Sequence, residues 1–458
     1  MPTDRWHTQL IVPAAQPYSL PRGLLVMRRN PARWWSAQMY DEGVRKTRIF
    51  GRSFLHVARP ELARAVLLDS ASCFGRSFVV QRVLEPLMGS GLLTSDGDAW
   101  KAQRRLLAPV FRKNALERFV PAIDKNAMEC RDQLLAQDGQ VVAVLPYTSQ
   151  ATLDIIVETL FGDATLDRKG VMHDIDTFLT RFGRPDILAL LGVPDAVPRP
   201  GRRQALAVAK QLRSRCKAAI ASLRQEGRAD AGGLVGRLLL EATDPDTGDS
   251  MSEGAIIDNV VTFIGAGHET TAVALAWTLY ALAHQPGLAE RLADESRGVL
   301  GDRSADASTI DLLDLHRRTI QETMRLYPPA AAFSRTVIQE VQIGQFTLVP
   351  RDHITIASMP MHRNPSWWPE PHLFDESRFE ASAIASRDRF AYLPFGDGPR
   401  VCIGANFALN EAVLILARLT PALRFTPVKG PQPDPTLSIT LRPSDGMRLK
   451  ISRIGGKG

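Results

Sequence analysis

From about residue 256 to 283 the chain runs almost without interruption through apolar side chains. That stretch is long enough to cross a bilayer, which takes ~20 residues. Asp258, His268 and Glu269 fall inside it, however, and ionisable groups at such depth are costly in lipid. A helix apolar on nearly all sides but carrying these three groups belongs in the middle of a water-soluble core. The rest of the chain must then be large enough to enclose it. With 45% hydrophobic and 23% charged residues among 458, it has the composition to do so. Length alone allows two or three domains, yet no Pro/Gly/Ser-rich linker marks a boundary.

Other signals surround this helix. Apolar spacing of three and four predicts helices at 60–70, 97–137, 146–161, 202–226, 286–299, 308–327 and 403–420. Short alternating segments at 334–338, 342–348 and 353–358 predict small strands. Gly183 to Gly201 is rich in Pro and Gly and reads as a mobile connection. The first 30 or so residues read as irregular, with no basic stretch followed by an apolar run that would make a leader or anchor. Helices dominate, with a minor β portion and no internal repeat. The formal charge of +7 is spread along the chain rather than gathered in tracts, which gives nucleic-acid binding little support. Four cysteines (Cys73, Cys130, Cys216, Cys402) form no CxxC pair, so neither a zinc site nor a disulfide framework is indicated. A cytoplasmic protein follows as the expectation.

The most informative stretch is Phe395-Gly396-Asp397-Gly398-Pro399-Arg400-Val401-Cys402-Ile403-Gly404. Its glycines permit tight turns and close approach of a flat ligand to the backbone. Cys402 stands just before an apolar helix, whose N-terminal N–H groups and positive potential stabilise a thiolate. Arg400 is placed to pair with a carboxylate at a ligand's edge. On the long helix, Ala266-Gly267-His268-Glu269-Thr270-Thr271 sets an acid beside a hydroxyl, a plausible proton relay. Gly265 and Gly267 cost about 1 kcal/mol each inside a helix, so some gain must attach to the missing side chains; room for a flat cofactor and dioxygen would supply it. Glu322 and Arg325 share one helical face at i and i+3 and precede Leu326-Tyr327-Pro328-Pro329. Trp100 and Arg104, four residues apart, also share a face.

Taken in order, these four patterns resemble the cytochrome P-450 family. FxxGxRxCxG is similar to its haem-ligand loop, AGxETT to its oxygen-activation motif, ExxR to its structural helix, and WxxxR to a helix contacting a haem propionate. The resemblance covers roughly residues 95 to 410. It implies a mainly α fold with small β-sheets: one triangular domain over residues 1–458, holding haem b between the long helix and the cysteine helix. Cys402 would be the axial iron ligand, with Phe395, Gly404 and Ala266 lining the cofactor. Arg400, Trp100, Arg104 and Arg335 would meet its edge. Glu269 and Thr270 would deliver protons, and Arg378, from Phe374-Asp375-Glu376-Ser377-Arg378-Phe379, would complete the Glu322/Arg325 network. Gln103 stands where relatives often carry a histidine.

The activity so implied is that of a monooxygenase. It activates dioxygen with two externally supplied electrons and hydroxylates or epoxidises an apolar small molecule, of which a terpenoid, steroid or fatty chain is an example. The electron donors would be a separate ferredoxin and its reductase, meeting a basic surface near Lys101, Arg105, Arg112 and Lys113. By the same analogy Phe78, Leu87, Val261, Ala331, Phe333 and Leu437 would line the substrate pocket. A monomer without a transmembrane anchor is expected. Haem-thiolate enzymes that use peroxide directly often lack the acid–alcohol pair, so its presence argues against that alternative.

Overall fold

A computed structural model describes residues 6–8, 11–49, 51–162, 166–183, 197, 201–226, 233, 236, 243, 248, 250–301 and 303–455. Most of the Gly183–Gly201 connection therefore lies outside the described residues. The longer described helices are α1 (Leu20–Arg29), α2 (Phe78–Met88), α3 (Gly97–Leu107), α4 (Val120–Leu135), α5 (Leu145–Phe161), α6 (Arg168–Phe182), α7 (Arg202–Glu226), α8 (Glu253–Ala283), α9 (Pro286–Val299), α10 (Asp314–Leu326) and α11 (Ala405–Leu419).

The apolar run is α8, extended by one turn at its start. Ser252 caps it, its hydroxyl accepting from the Ala255 N–H at 3.3 Å. Nearly every side chain from Ile256 to Ala283 is buried. Packing α5 against it satisfies polar groups as well as apolar ones: Thr148 donates to the Ala272 carbonyl at 3.0 Å and Thr152 to that of His268 at 2.9 Å. Fully burying one large aliphatic side chain is worth about 1.5–3 kcal/mol, and α8 buries a long series of them. On its other side α11 is anchored by the buried ion pair of Arg418 with Asp124 of α4, at 2.6 Å.

The strands are β1 (Val44–Ile49), β2 (Arg52–Val57), β3 (Phe74–Arg76), β4 (Val141–Ala143), β5 (Phe333–Val337), β6 (Val341–Ile343), β7 (Phe346–Leu348), β8 (His353–Ile356), β9 (Leu423–Pro427), β10 (Pro435–Leu437), β11 (Leu441–Pro443) and β12 (Arg448–Arg453). They form a five-stranded sheet in the order β1-β2-β8-β5-β3, parallel only between β2 and β8. The trio β4-β12-β9 and the hairpins β6-β7 and β10-β11 complete the β portion.

Several elements differ from the sequence expectation. The start of the chain, expected to be irregular, contains α1. Pro21 opens that helix, and Gly23 lets it press onto Trp34, whose ring a Cβ would meet at 2.4 Å. Residues 97–137 split into α3 and α4, with short helical turns between; Pro109 sits in the first of these and Pro121 in the opening turn of α4. The helix expected over 60–70 changes to a wider π turn at Ala65–Asp69. Residues 308–327 break at Leu313. A capping box at Asp306 and Thr309 starts the first piece, and Glu295 caps the second by accepting from the N–H groups of Leu315 and His316 at 2.9 and 3.1 Å. Residues 342–348 fold back on themselves at Gly344, whose φ of 57° turns one expected strand into the β6-β7 hairpin.

Candidate functional site

The cysteine loop is built by two glycine requirements and one anchor. Gly398 has φ 75°, and a Cβ there would stand 2.0 Å from the Leu67 carbonyl oxygen. The Cys402 N–H donates to the Phe395 carbonyl at 3.0 Å, closing the loop just ahead of α11. Cys402 keeps accessible surface, although protein crowds its sulfur closely enough that burial raises the thiol above its ordinary range. The side chain therefore sits at the floor of a recess. Two features pull the other way: the Gly404 N–H donates to its Sγ, and the Arg104 guanidinium lies near enough to favour the thiolate. Burial remains the largest influence; the accessible surface, the Gly404 N–H and the Arg104 charge are what set Cys402 apart from an inert core cysteine. Cys130 and Cys216 are the contrast, each pushed by burial up to about 12.

Around the recess stand four arginines. Arg400 lies 4.1 Å over the ring of Trp100, donates to the Ser95 carbonyl at 3.1 Å and pairs with Asp96. Arg104 is one turn beyond Trp100 on α3. Arg335, on β5, is buried and faces Arg76 of β3 directly across the sheet. Like charges in that register are destabilising. Burial lowers Arg76 to about 9, with repulsion from Arg335, Arg400 and Arg104 adding to it, and lowers Arg335 to about 10. The carboxylate close to this group is Asp96, whose Oδ2 accepts from the Arg76 N–H at 2.6 Å. Arg76 Nε is buried and has no partner within the protein. Four guanidiniums against one carboxylate, beside a recessed thiol and a glycine loop, fit a flat ligand that carries acidic groups on its edge. Arg76 was not among the residues singled out from the sequence; only its pairing with β5 reveals it.

Gln103, in place of the relatives' histidine, turns to a different task. It donates to the Ser90 carbonyl at 2.9 Å and accepts from Asn259 at 3.1 Å, tying α3 to α8. Nearby, Asp258 of α8 accepts from the Ser90 N–H at 2.7 Å and pairs with Arg213 of α7 at 2.5 Å. Gly89, at φ 55°, is required there, because a Cβ would lie 2.4 Å from that carboxylate. The glycines of α8 also serve its neighbours: a Cβ at Gly265 would meet Met88 Cε at 3.1 Å, and one at Gly267 would meet Ile156 at 3.6 Å. The space expected for a cofactor at these two positions is thus taken by Met88 and Ile156.

In the middle of α8 the Thr270 hydroxyl donates to the Ala266 carbonyl at 2.9 Å. Such a back-bond competes with the helical ladder and favours a local bend. Glu269 is 2% exposed, and its carboxylate accepts from Thr440 at 2.8 Å and from Arg442 at 3.0 Å. Below them, Glu411 of α11 is buried against Thr271, its neighbouring hydroxyl, and burial pushes its carboxyl up to about 8. Neither Arg442 nor Glu411 is signalled by any local motif.

Glu322 and Arg325 are both fully buried and paired at two points, each 2.7 Å. Arg325 also donates to the carbonyls of His362, Pro371 and Leu373 at 2.8 to 3.0 Å. Glu322 accepts from the Asp375 N–H at 2.9 Å, while Arg378 stands at 3.6 Å from it. Arg378 thus adds charge to this network rather than a hydrogen bond to Glu322.

Of the six residues assigned to the substrate side, Leu87, Val261 and Ala331 are closed in the core, whereas Phe78, Phe333 and Leu437 are half-buried. Phe333 lies beside the cysteine loop, within 3.7 Å of where a Cβ on Gly396 would be. On the basic surface, Lys101 pairs with Asp98 and Lys113 with Asp311, each at 3.0 Å. Among the described residues no helix is long and apolar enough to cross a membrane.

Comparison with known proteins places these features. The family model described as Cytochrome P450 matches residues 32–451. The chain is 30% identical to Cytochrome P450 4F8 of Homo sapiens, over 88% of its length and 81% of that protein's. It is 28% identical to cyclooctatin synthase of Streptomyces melanosporofaciens, over 96% of each. Among solved structures, the haem domain of cytochrome P450DA superposes with a TM-score of 0.82 at 24% identity, covering 97% of this chain and 99% of that one.

Proposed function

Since the chain belongs to the cytochrome P450 family of haem b monooxygenases, we propose that Cys402 is the axial ligand and that Glu269 and Thr270 deliver the protons its reaction needs. The observation that carries this reading is the recessed Cys402, with the Gly404 N–H on its sulfur and the Arg104 charge nearby. Haem b held by a thiolate supplies dioxygen activation, the thiolate's electron density favouring O–O cleavage. The chain's own part is to hold, orient and protonate.

In this reading Cys402, Phe395, Gly404 and Ala266 would hold the cofactor. Arg76, Arg104, Arg335 and Arg400 would take its acidic edge, with Trp100 supporting the Arg400 guanidinium. Their uncompensated charge and the orphaned Arg76 Nε support the assignment. The Thr270 hydroxyl, held on the Ala266 carbonyl at rest, turns to pass a proton, and Glu269 replenishes it. Glu322, Arg325 and Arg378 lock α10 to the irregular segment from His362 to Arg378.

The substrate is an apolar small molecule that meets Phe78, Phe333 and Leu437 first, with Leu87, Val261 and Ala331 behind them. It is hydroxylated or epoxidised. Electrons come from separate proteins, a ferredoxin and its reductase, docking where Lys101, Arg105, Arg112 and Lys113 present positive charge to an acidic partner. The four unpaired cysteines suit a reducing, cytoplasmic setting.

The test is the absorption spectrum of the reduced protein with carbon monoxide. A strongly red-shifted Soret band that disappears in Cys402→Ala is the expected result. A spectrum typical of histidine ligation, or a band that survives the substitution, refutes the assignment of Cys402. Titrating apolar compounds into the oxidised protein and watching the spin state then narrows the substrate.

A further inference from the structure

The Glu269 carboxylate is held by a device that the acid–alcohol pair does not need in order to exist. Thr440 and Arg442 stand two residues apart at the start of β11 and so point the same way. Both reach Oε1 of Glu269, at 2.8 and 3.0 Å. Leu441 between them is pinned on both sides of its backbone. Its N–H donates to the Pro329 carbonyl at 3.1 Å, and its carbonyl accepts from Trp277 Nε1, of α8 itself, at 2.9 Å. The pair is thus aimed at Glu269 by a rigid mount.

The far end of Arg442 is also engaged. Its Nη1 and Nη2 both donate to Asp176 Oδ1 of α6, each at 3.0 Å. One guanidinium is shared by two carboxylates from two helices. The inner one has a side chain 3% exposed and the outer one 57% exposed, with Arg442 at 19%. Solvent and salt weaken the outer contact far more than the inner one.

We propose that Arg442 is a positioning residue for proton delivery, holding Glu269 against the β10-β11 end, and that Asp176 sets how firmly by competing for the same guanidinium. This rests on the reading of Glu269 as the proton donor. Other groups facing this turn are few in kind. His268, adjacent on α8, is buried, and burial lowers its proton affinity. α5 presents the hydroxyls of Thr148 and Thr152, and α11 the Glu411 carboxyl through Thr271. Arg442 is the cation that contacts the Glu269 carboxylate.

Two substitutions should then act in opposite directions. Arg442→Met removes the positive charge that holds the Glu269 carboxylate. Asp176→Asn gives Arg442 over to Glu269 alone. The measurement needs no substrate: NADPH consumption and peroxide release by the haem-loaded full chain, driven by a plant-type ferredoxin and its reductase, as a function of pH. The alkaline limb of that profile is expected to move up by about one pH unit or more in Arg442→Met and down in Asp176→Asn. Arg442→Lys should stay near the parent. Limbs that do not move in Arg442→Met and Asp176→Asn, with the carbon monoxide spectrum intact, overturn the proposal. Should Arg442→Met fail to fold, Arg442→Gln and Asp176→Asn carry the same test.

Glu269→Gln separates the two layers of the argument. Loss of the limb in that variant upholds Glu269 as the donor, whatever Arg442 does; an unchanged limb removes Glu269 itself. Independently of turnover, the thermal midpoints of Glu269→Gln, Arg442→Met and the double variant should be non-additive, the double falling no lower than the worse single. Strict additivity counts against a direct coupling between the two side chains.

Discussion

Glu411 offers a quantitative test of how α8 and α11 are packed. Its carboxyl is 2% exposed, has Thr271 as its neighbour and is pushed up to about 8 from an ordinary 4.5. Below the ordinary value both folded and unfolded chains carry the proton, and pH has no leverage through this group. Above it the unfolded chain releases a proton that the folded chain retains, so stability falls as pH rises until about 8 and then levels off. At about 1.36 kcal/mol per pH unit of displacement, integration between pH 5 and pH 8 gives a loss of about 3 to 4 kcal/mol. Glu411→Gln keeps the shape, cannot ionise and escapes that loss. With an unfolding entropy of about 2.1 cal/mol/K per residue, the midpoint of the variant should gain roughly 3 to 4 °C on the parent between those two pH values. The assay is thermal unfolding of the haem-loaded parent and variant, followed by circular dichroism at matched pH, in which the other titrating groups cancel in the difference. A lost hydrogen bond shifts the variant by a constant amount. A midpoint difference that is constant from pH 5 to pH 8 therefore refutes the reasoning, because Glu411 would then be ionising without hindrance.

The remaining predictions concern the site itself. Thr270→Ala should leave folding within about 1 kcal/mol of the parent, since only the bond to the Ala266 carbonyl is lost, but should divert reductant into peroxide; unchanged coupling removes Thr270 from the relay. Glu322→Ala leaves Arg325 charged and buried, a loss of about 3–5 kcal/mol, and is expected to abolish stable haem incorporation; full haem occupancy in that variant contradicts it. Arg76→Gln should raise the thermal midpoint of the haem-free protein by relieving its opposition to Arg335, a gain of about 0.2–1 kcal/mol, while accelerating haem transfer to an acceptor protein. Slower haem loss in that variant would mean that Arg76 takes no part in holding the cofactor.

What could be read without coordinates was whatever the chain writes locally. The Cys402 loop, the Glu269-Thr270 pair and the Glu322/Arg325 spacing are each contained within a dozen residues, and their neighbours in space are largely their neighbours in sequence. The boundaries of α5, α9 and α11 were legible for the same reason, being set by apolar periodicity. Arg76 was not legible, because its meaning comes from standing opposite Arg335 across a sheet. Arg442 and Glu411 gain theirs from α8, more than a hundred residues away in the chain. Gln103, standing where relatives often carry a histidine, ties Ser90 to Asn259, a role that needs both partners in space. The break at Leu313 depends on Glu295 reaching over from a different helix, which no pattern within 308–327 contains. Gly265 and Gly267 were recognised as unusual, but which atoms filled their space depended on Met88 and Ile156.

The opposition of Arg76 and Arg335 also bears on how firmly this edge of the sheet is held. β3 is a three-residue edge strand that pairs with β5 and leads through Ser77 straight into α2, where the Phe78 N–H is received by Thr336 of the same β5 at 3.2 Å. The strand is held by its three pairs with β5 and by the Arg76 N–H on Asp96, against the repulsion of the like-charged pair. An acidic group placed between the two arginines would offset that repulsion, and the tightening would pass through Ser77 to the start of α2, which carries Phe78 and Leu87.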